Sequence, residues 1–454
     1  MASQEKSINN FTEGKILGPL IRFALPVLAA LLLQSLYGAV DLLVVGQFAT
    51  SADVSAVSTG SQIMMTVTNI ITSLAMGTTI LLGHQIGAGK ADEGGETIGT
   101  SIALFAALGL ILSLIMGIFA SPVASLLRAP EEAFTATTAY IRICGGGSIV
   151  ILAYNLIGSI FRGIGDSRTP LYAVIIACIV NIAGDLALVA GLHMGAAGAA
   201  IATVGAQAIS VALSFLMIRR RQLPFAFRRS MIRFTGTIIR RIVSLGAPIM
   251  LSTALVDVSF LIILGIVNNL GLNYSAGVGV AEKVCAFIML VPAAFMQSMS
   301  AFAAQNFGAG RMDRAIRSLW YSVIVSLCIG VFMFYASFFH GDKLSAVFTS
   351  DPAVIPQAFD YLRAYAIDCL MTPVFFCFIG FYNGLGMTKF VMAQGIISAF
   401  CVRVPVSFFM SRLTPPSLFK IGLATPCSSA LQIVMCLVCY VYVLKRNKRG
   451  CRIA

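Results

Sequence analysis

Charged residues are scarce in this sequence of 454 residues. Only 11% of the residues are Asp, Glu, Lys or Arg, whereas 58% are hydrophobic, and the mean hydropathy is +0.91. Soluble globular domains carry about 25% charged residues, so the composition excludes an ordinary water-soluble protein. It predicts a chain that lies within a lipid bilayer.

Groups that carry enzyme chemistry are also sparse. The three histidines, His84, His193 and His340, stand far apart without HExxH spacing, and the eleven cysteines are scattered along the chain. These patterns argue against a zinc site, a disulfide framework and a membrane metalloprotease. Gly89-Lys90 lacks the flanking residues of a phosphate-binding loop. We therefore expect a protein that is not an enzyme and that carries no cofactor.

Long hydrophobic runs, by contrast, recur along the whole chain. About 20 apolar residues in a helix cross roughly 30 Å of hydrocarbon, and the runs show none of the short alternating segments of an outer-membrane barrel. The sequence therefore predicts an all-α membrane protein with twelve transmembrane helices. These spans are 16–47, 54–82, 97–127, 133–161, 169–192, 195–218, 242–268, 275–303, 315–340, 353–382, 388–411 and 418–444.

An internal repeat divides the chain into two halves. Several short patterns recur about 220 positions later, which is the mark of a duplicated unit. The matches are Pro26 with Pro248, Gln85 with Gln305, Tyr140-Ile-Arg142 with Tyr361-Leu-Arg363, and Gly163-Ile-Gly165 with Gly384-Leu-Gly386. We therefore expect six helices in each half: an amino-terminal lobe at 1–220, a basic linker at 221–240 and a carboxyl-terminal lobe at 241–454.

The positive charges predict the orientation in the membrane. With a cytoplasmic amino terminus, most of the 31 Lys and Arg residues fall on the cytoplasmic side, and the opposite loops hold only Arg128, Lys343, Arg412 and Lys420. Positive residues are retained in the cytoplasm during insertion. We expect a multi-pass protein of the plasma membrane with both termini cytoplasmic. The basic run at 219–241 is interpreted as a linker near anionic lipids and not as a nucleic-acid surface.

Acidic residues occur inside the predicted spans, where each one needs a reason. A carboxylate near the bilayer centre costs about 2.5 to 3.5 kcal/mol on insertion scales. In the first span, Gln34, Tyr37 and Asp41 share one helix face, and in the fifth span Asn181 and Asp185 do the same. A proton and a metal cation compete for such buried carboxylates. Asp41, Asp185 and Asn181 are therefore candidates for a coupling site.

Other polar residues extend these inward faces. The second span carries Asn69, and the fourth carries Tyr140 and Asn155. We take Gln34, Tyr37, Asn69 and Asn155 as candidates for a substrate cavity. The alternative for all of these residues is an interhelical hydrogen-bond network with a purely structural role.

The second half offers a less definite pattern. Asp257 and Asp368 each stand in a predicted span with hydroxyl residues one turn away, so a coupling or substrate role and a structural role both stay open. Pro26 and Pro248 remove a backbone hydrogen bond at equivalent places. Each proline permits either a static kink or a moving bend.

Six stretches of this sequence resemble the multidrug and toxic compound extrusion (MATE) family. They are Leu25-Pro26, Val40-Asp41 through Gly46, the loops ending at Gly89 and Gly310, Arg162 through Pro170, and Asn181 through Asp185 continuing to Gly195 through Thr203. The resemblance implies two six-helix lobes related by a pseudo-twofold axis along the membrane normal. It also implies export of organic cations and amphipathic drugs in exchange for H⁺ or Na⁺.

The resemblance also assigns residues. The coupling site of the bacterial branch corresponds to Asp41, Tyr140, Asn181, Asp185 and Thr203 in this sequence. Another branch places coupling acids in the second lobe, for which Asp257 and Asp368 are the nearest candidates. The implied partners are small cationic substrates and membrane lipids, with H⁺ or Na⁺ as coupling ion, and a monomer is expected.

Two other transport functions compete with this interpretation. A flippase for lipid-linked oligosaccharides would line its cavity with cationic residues for pyrophosphate, whereas the inward candidates here are mostly acids. A channel would need a continuous pore and would conduct without a counter-ion. Alternating access between the two lobes, with competition between the coupling ion and the drug at Asp41 and Asp185, is the mechanism that we expect.

Overall fold

The computed structural model describes residues 11–220 and 227–449, and all regular secondary structure in these ranges is helical. Within these ranges, eleven helical segments are long and apolar enough to cross a membrane, and a bent helix pair makes a twelfth span when it is counted as one. The predicted all-helical membrane architecture is therefore confirmed. Residues 221–226 of the predicted linker lie outside the described residues.

The structure divides into two compact units. Unit 1 holds residues 25–247, and unit 2 holds residues 11–24 together with 248–449. The sequence-based boundary falls in the basic linker, whereas the structural division falls inside two helices. These helices are α1 (Leu17–Phe48) and α9 (Gly236–Asn268), and each changes unit next to its internal proline.

Unit 1 consists of most of α1, the beginning of α9 and seven helices between them. These are α2 (Ser51–Gly87), α3 (Ala91–Ile118), α4 (Ala120–Leu126), α5 (Phe134–Gly146), α6 (Ser148–Ile164), α7 (Arg168–Asp185) and α8 (Gly195–Arg220). Asp53 caps the start of α2 through Thr50 and also accepts a 2.9 Å hydrogen bond from the backbone N–H of Ala196. Gly195 beside it has a positive φ of 55°, and a Cβ there would overlap the Asp53 carboxylate.

The fourth predicted span, 133–161, is a bent pair rather than one straight helix. α5 and α6 meet at Gly147 with an angle of 51° between them. A Cβ on Gly147 would press into the side chain of Val204 on α8. The glycine therefore lets α8 approach the bend, which the apolar pattern alone did not reveal.

Unit 2 repeats this layout with its own helices. They are α10 (Leu272–Ile288), α11 (Leu290–Gly308), α12 (Met312–Ala346), α13 (Val354–Gly384), α14 (Thr388–Ser398), α15 (Val404–Ser411), α16 (Leu418–Gly422) and α17 (Ala424–Lys448). α13 is the most buried of the candidate spans and contains Asp368.

A π-helical turn interrupts the corresponding span in each unit. In unit 1 it occupies Leu186–Gly191 directly after Asp185, and in unit 2 it occupies Ala399–Arg403 and ends on an arginine. Such turns are frequent at functional sites because the extra residue re-aims the neighbouring side chains. The buried residues at these two turns are Asp185 in unit 1 and Arg403 in unit 2.

The segment before α1 is anchored in unit 2 by a buried arginine. Arg314 donates to the backbone carbonyls of Phe11, Glu13 and Gly14 at 3.1, 3.0 and 2.8 Å. The Phe11 ring is fully buried against Phe302, with ring centroids 4.8 Å apart. The chain is thus fixed to unit 2 before it enters α1.

The start of α9 is fixed in unit 1 by close backbone packing. A Cβ on Gly246 would overlap the carbonyl of Leu74 on α2, and a Cβ on Gly77 would overlap the carbonyl of Ile242. Small residues at such a contact allow two membrane helices to approach closely. Each half of the repeat therefore has a well-packed first turn ahead of its proline.

Candidate functional site

The two acids of unit 1 that the sequence singles out lie together. Asp41 of α1 is 5% exposed and Asp185 at the end of α7 is 0% exposed. Their carboxyl groups are within hydrogen-bonding reach of each other. Among the described residues, Asp41 Oδ1 and both carboxyl oxygens of Asp185 have no hydrogen-bond donor.

This acid pair has a direct chemical consequence. Two ionised carboxylates in contact repel each other strongly at low dielectric. A proton shared between them, or a cation bound to both, relieves the repulsion. The arrangement is therefore suited to exchange a proton for a cation.

A threonine and an asparagine complete the oxygen-rich surroundings of the pair. Thr203 Oγ1 of α8 donates to Asp41 Oδ2 at 3.3 Å, and the Asn181 amide donates to Thr203 Oγ1 at 3.5 Å. Asn181 is buried, and its Oδ1 has no donor among the described residues. Carboxylate, amide and hydroxyl oxygens are the ligands that hard cations prefer. The donor set therefore fits Na⁺ as well as H⁺.

Tyr140 of α5 borders the acid pair. It is 3% exposed, it interacts electrostatically with Asp41, and its ring packs where a Cβ on Gly60 of α2 would stand. Cys144, one turn further along α5, also faces Tyr140 and Asp41. Sequence reasoning passed over Cys144, because scattered membrane cysteines resemble apolar filler.

A second group of polar residues continues from α1 toward α6. Gln34 donates to the Tyr154 hydroxyl at 3.3 Å, and Tyr37 interacts with Tyr154 and with Gln207 of α8. Tyr154 and Gln207 were missed from the sequence. The signal for Gln207 was its position four residues after Thr203, on the same helix face.

The remaining two cavity candidates of unit 1 differ from each other. Asn155 is engaged on both sides of its amide, since it accepts from Thr72 at 3.0 Å and donates to the Ile151 carbonyl at 2.8 Å. Asn69 is exposed on α2. The Thr72 contact joins α2 to α6 and the Ile151 contact lies within α6, so a cavity role and a structural role for Asn155 both stay open.

A basic residue close to this cluster was also overlooked. Arg162 of α6 is half-buried, donates to Ser159 Oγ at 3.0 Å and interacts electrostatically with Tyr154. It belongs to the segment that carried the family resemblance, and it lies one position beyond the predicted fourth span, 133–161.

The acids of unit 2 have a different environment. Asp368 is 1% exposed and accepts a 2.7 Å hydrogen bond from Thr372, and it interacts electrostatically with Arg403. Arg403 is 4% exposed, lies 3.4 Å from Ser259 Oγ and packs over the Phe260 ring at 4.6 Å. A buried cation thus accompanies the buried acid.

Asp257 of α9 does not join Asp368. It is half-buried, and among the described residues the interactions found for Asp368 involve Thr372, Ser429 and Arg403 rather than a second acid. No cluster of three or more His, Cys, Asp or Glu side chains occurs within 11–220 and 227–449. Among the described residues, the contact found between two buried acids lies in unit 1.

The bundle of apolar spans, with a polar cluster buried in unit 1, defines a polytopic membrane protein. The MatE family model matches residues 26–186 and 248–409, which covers one stretch in each half of the repeat. The chain belongs to the MatE family, and the family resemblance of the sequence is confirmed.

Curated relatives cover nearly the full length. The chain is 24% identical over 442 residues to "Probable multidrug resistance protein YoeA" of Bacillus subtilis (strain 168), with 94% of each chain covered. It is 25% identical over 403 residues to "Probable multidrug resistance protein YpnP" of the same organism, with 88% of this chain and 90% of the relative covered.

Solved structures share the fold. A crystal structure of a MATE protein in complex with MaD3S superposes with a TM-score of 0.89 at 18% identity, covering 96% of this chain and 98% of that chain. An outward-facing multidrug resistance MATE family transporter superposes with a TM-score of 0.86 at 18% identity, with 98% of both chains covered.

Proposed function

We propose that this protein exports organic cations and amphipathic drugs across the plasma membrane in exchange for H⁺ or Na⁺. The observation that carries the proposal is the buried pair of Asp41 and Asp185, with three carboxyl oxygens that have no donor among the described residues. Relatives named as multidrug resistance proteins support drugs as the substrate class.

The coupling follows from competition for one buried negative charge. A proton or Na⁺ bound at the acid pair neutralises it, so an organic cation in the same unit loses its electrostatic attraction. By linkage, each cation weakens the other by the same factor, typically about 5- to 150-fold. Thr203 and Asn181 assist by orienting oxygen ligands, and Tyr140 closes one side of the pair.

Pro26 provides a route from ion binding to movement. The proline lies on α1 fifteen residues before Asp41, at the place where α1 passes from unit 2 to unit 1. A missing backbone hydrogen bond lowers the cost of bending there. We propose that occupancy of the acid pair changes the bend of α1 and that this drives alternating access.

Gln34 and Tyr37 are our candidates for contacts to the substrate, because they continue the polar face of α1 away from the acids. Asn69 is a further candidate. We propose both termini on the cytoplasmic side, a monomer as the working form, and no cofactor besides the coupling ion. The cluster of acids in unit 1 favours cationic cargo over the pyrophosphate of a lipid-linked oligosaccharide.

Ethidium transport in everted membrane vesicles tests the proposal. Transport is measured with a proton gradient, with a Na⁺ gradient and with both gradients collapsed, for the wild type and for Asp41→Asn. We expect transport to depend on one gradient and to be lost in Asp41→Asn. The matched control is Asp342→Asn, which neutralises an exposed acid of unit 2. Gradient-dependent transport by a normally inserted Asp41→Asn protein would overturn the assignment.

A further inference from the structure

An apolar groove lies on unit 1 between α3 and α6, apart from the acid pair. Its walls consist only of Ile, Leu, Ala and Phe, and it encloses about 780 Å³ when its open side is counted. The residues that line it include Ile102, Phe105, Leu156, Ile160, Phe215 and Phe227. We call it the α3–α6 groove.

One face of α6 contributes to the polar network of unit 1, and another face lines the α3–α6 groove. Tyr154 and Asn155 point into the polar network described above, whereas Leu156 and Ile160 line the groove. Ile149 and Phe215 at its borders are 40% and 46% exposed. On a membrane protein, an apolar surface of this kind faces hydrocarbon, so the groove is open to lipid chains.

The groove is longer than the depth of one leaflet. The contributors on α6 run from Ile149 to Ile164, which at 1.5 Å per residue is about 22 Å along the helix. Half of a typical hydrocarbon core is about 15 Å. An extended acyl chain can therefore lie along the groove.

The end of the basic linker forms one wall and is firmly held. Phe227 lines the groove. Further on, the Met231 carbonyl packs directly on α3, where a Cβ on Gly99 would overlap it. Arg233 pairs with Glu96 of α3 at 3.1 Å. The linker therefore presents its charges at a fixed place beside the groove.

Those charges are positive. Arg228 and Arg229 directly follow Phe227, both are exposed, and no residue of the described chain forms an ion pair with either. The nearby acids Glu93 and Glu96 are engaged by Lys90 and Arg233, and Asp92 on the same first turn of α3 is exposed. Guanidinium groups suit phosphate because of their charge and planar donors.

We propose that the α3–α6 groove is a binding site for an anionic phospholipid. An acyl chain fills the groove, and Arg228 and Arg229 hold the phosphate of the headgroup at its mouth. A cationic drug does not fit these features, because the walls offer no acid and the mouth is positive. The site does not depend on the proposed transport mechanism.

Lipid retention by the purified full-length protein tests the site. Native mass spectrometry counts bound phosphatidylglycerol and phosphatidylcholine with identical acyl chains. We expect the wild type to prefer phosphatidylglycerol, and Arg228→Gln with Arg229→Gln to reduce that preference at least about fivefold, since each basic residue near an anionic surface contributes about that factor. The control removes two exposed arginines of unit 2, Arg311→Gln with Arg317→Gln, and should keep the preference.

A second pair of variants tests the groove itself. Ala106→Trp fills the groove and should reduce retention of both lipids, whereas Ile111→Trp places the same side chain on an exposed part of α3 and should not. Equal retention of the two lipids by the wild type would overturn the proposal. So would unchanged preference in the double arginine variant, unchanged retention in Ala106→Trp, or displacement of phosphatidylglycerol by tetraphenylphosphonium.

Discussion

Unit 1 and unit 2 descend from the same repeated pattern, yet their buried charges differ. Unit 1 places Asp41 and Asp185 in contact, and unit 2 places Asp368 near the buried Arg403. A proton or a bound cation is required to relieve the repulsion between two contacting carboxylates. For an acid near an arginine, a side chain of the protein itself supplies the positive charge. The difference teaches that two repeated units can share one helical layout while their buried charged residues, among those that the structure describes, are arranged differently.

The sequence positions explain this divergence. At the repeat offset of about 221 residues, Tyr140 matches Tyr361 and Thr203 matches Thr425, but Asp41 falls on the apolar Ile263. Arg403 lies within one position of the counterpart of Asn181. Unit 2 has thus kept the tyrosine and the threonine and replaced the acids and the amide.

The largest expected effect is the difference in transport between neutralising a buried acid of unit 1 and neutralising one of unit 2. Asp185→Asn removes one half of the acid pair, so gradient-driven ethidium transport should fall by about 5- to 150-fold, the usual range of a coupling free energy. At equal amounts of inserted protein, Asp368→Asn should keep transport near wild type in the same vesicles, because Asp368 is not part of the acid pair. The variant leaves the buried Arg403 without its acid, so a loss of stability is expected and is measured separately. A loss in Asp368→Asn equal to that in Asp185→Asn would remove the proposed distinction.

The second prediction concerns the built-in counter-charge. Arg403→Gln removes the cation that acts electrostatically on the buried Asp368. The two side chains form no ion pair among those found in the described residues, so the expected cost is below the about 3 to 5 kcal/mol of a directly paired buried charge. The melting temperature in detergent should fall clearly. Adding Asp368→Asn to Arg403→Gln should restore part of the loss. If the double variant is no more stable than the single one, the two residues do not act as partners.

The third prediction compares the anchors at equivalent helix starts. Arg314 makes buried hydrogen bonds to three carbonyls, so Arg314→Gln should cost at least about 2 kcal/mol, since bonds to charged groups contribute about 1.5 to 3 kcal/mol. Its counterpart in unit 1, Glu93, forms an exposed pair with Lys90. Glu93→Gln should cost at most about 1 kcal/mol. Thermal unfolding of both variants measures the difference, and similar shifts would contradict it.

The smallest expected effect comes from a matched pair of threonines. Thr203→Val removes the 3.3 Å hydrogen bond to Asp41, which corresponds to about 1 kcal/mol, or about fivefold, in cation affinity. Thr425→Val makes the same change in unit 2 and should leave affinity unchanged. The concentration of Na⁺ or H⁺ that gives half-maximal ethidium transport reports the effect. A shift in Thr425→Val as large as that in Thr203→Val would argue against a site confined to unit 1.

Much of the fold could be predicted because its signals are local and repeated. Apolar runs define the spans, and matches such as Pro26 with Pro248 define the two halves. The bend at Gly147 escaped prediction, because it depends on the approach of Val204 from a distant helix. The π turns also escaped prediction, because an apolar run does not show where a helix accommodates one extra residue.

The candidate site could be predicted in part, since an intramembrane acid stands out by its cost. That reasoning selected Asp41 and Asp185, which the structure brings together, and their role in coupling stays a prediction. It did not distinguish Asp257 from Asp368, because only the structure shows which acid lies near Arg403. It also did not find Tyr154 or Gln207, because their polar groups contact Gln34 and Tyr37 on another helix, and the sequence does not show which helices meet.

The anchoring of residues 11–24 in unit 2 has a consequence for synthesis of the protein. Phe11 leaves the ribosome long before Phe302 and Arg314, which bury and hold it. The segment before α1 and the first turns of α1 can therefore reach their final contacts only after most of the polypeptide has been translated. Separately produced halves, cut in the basic linker, would leave the later fragment without a segment that it needs, and only co-production of both fragments would supply it.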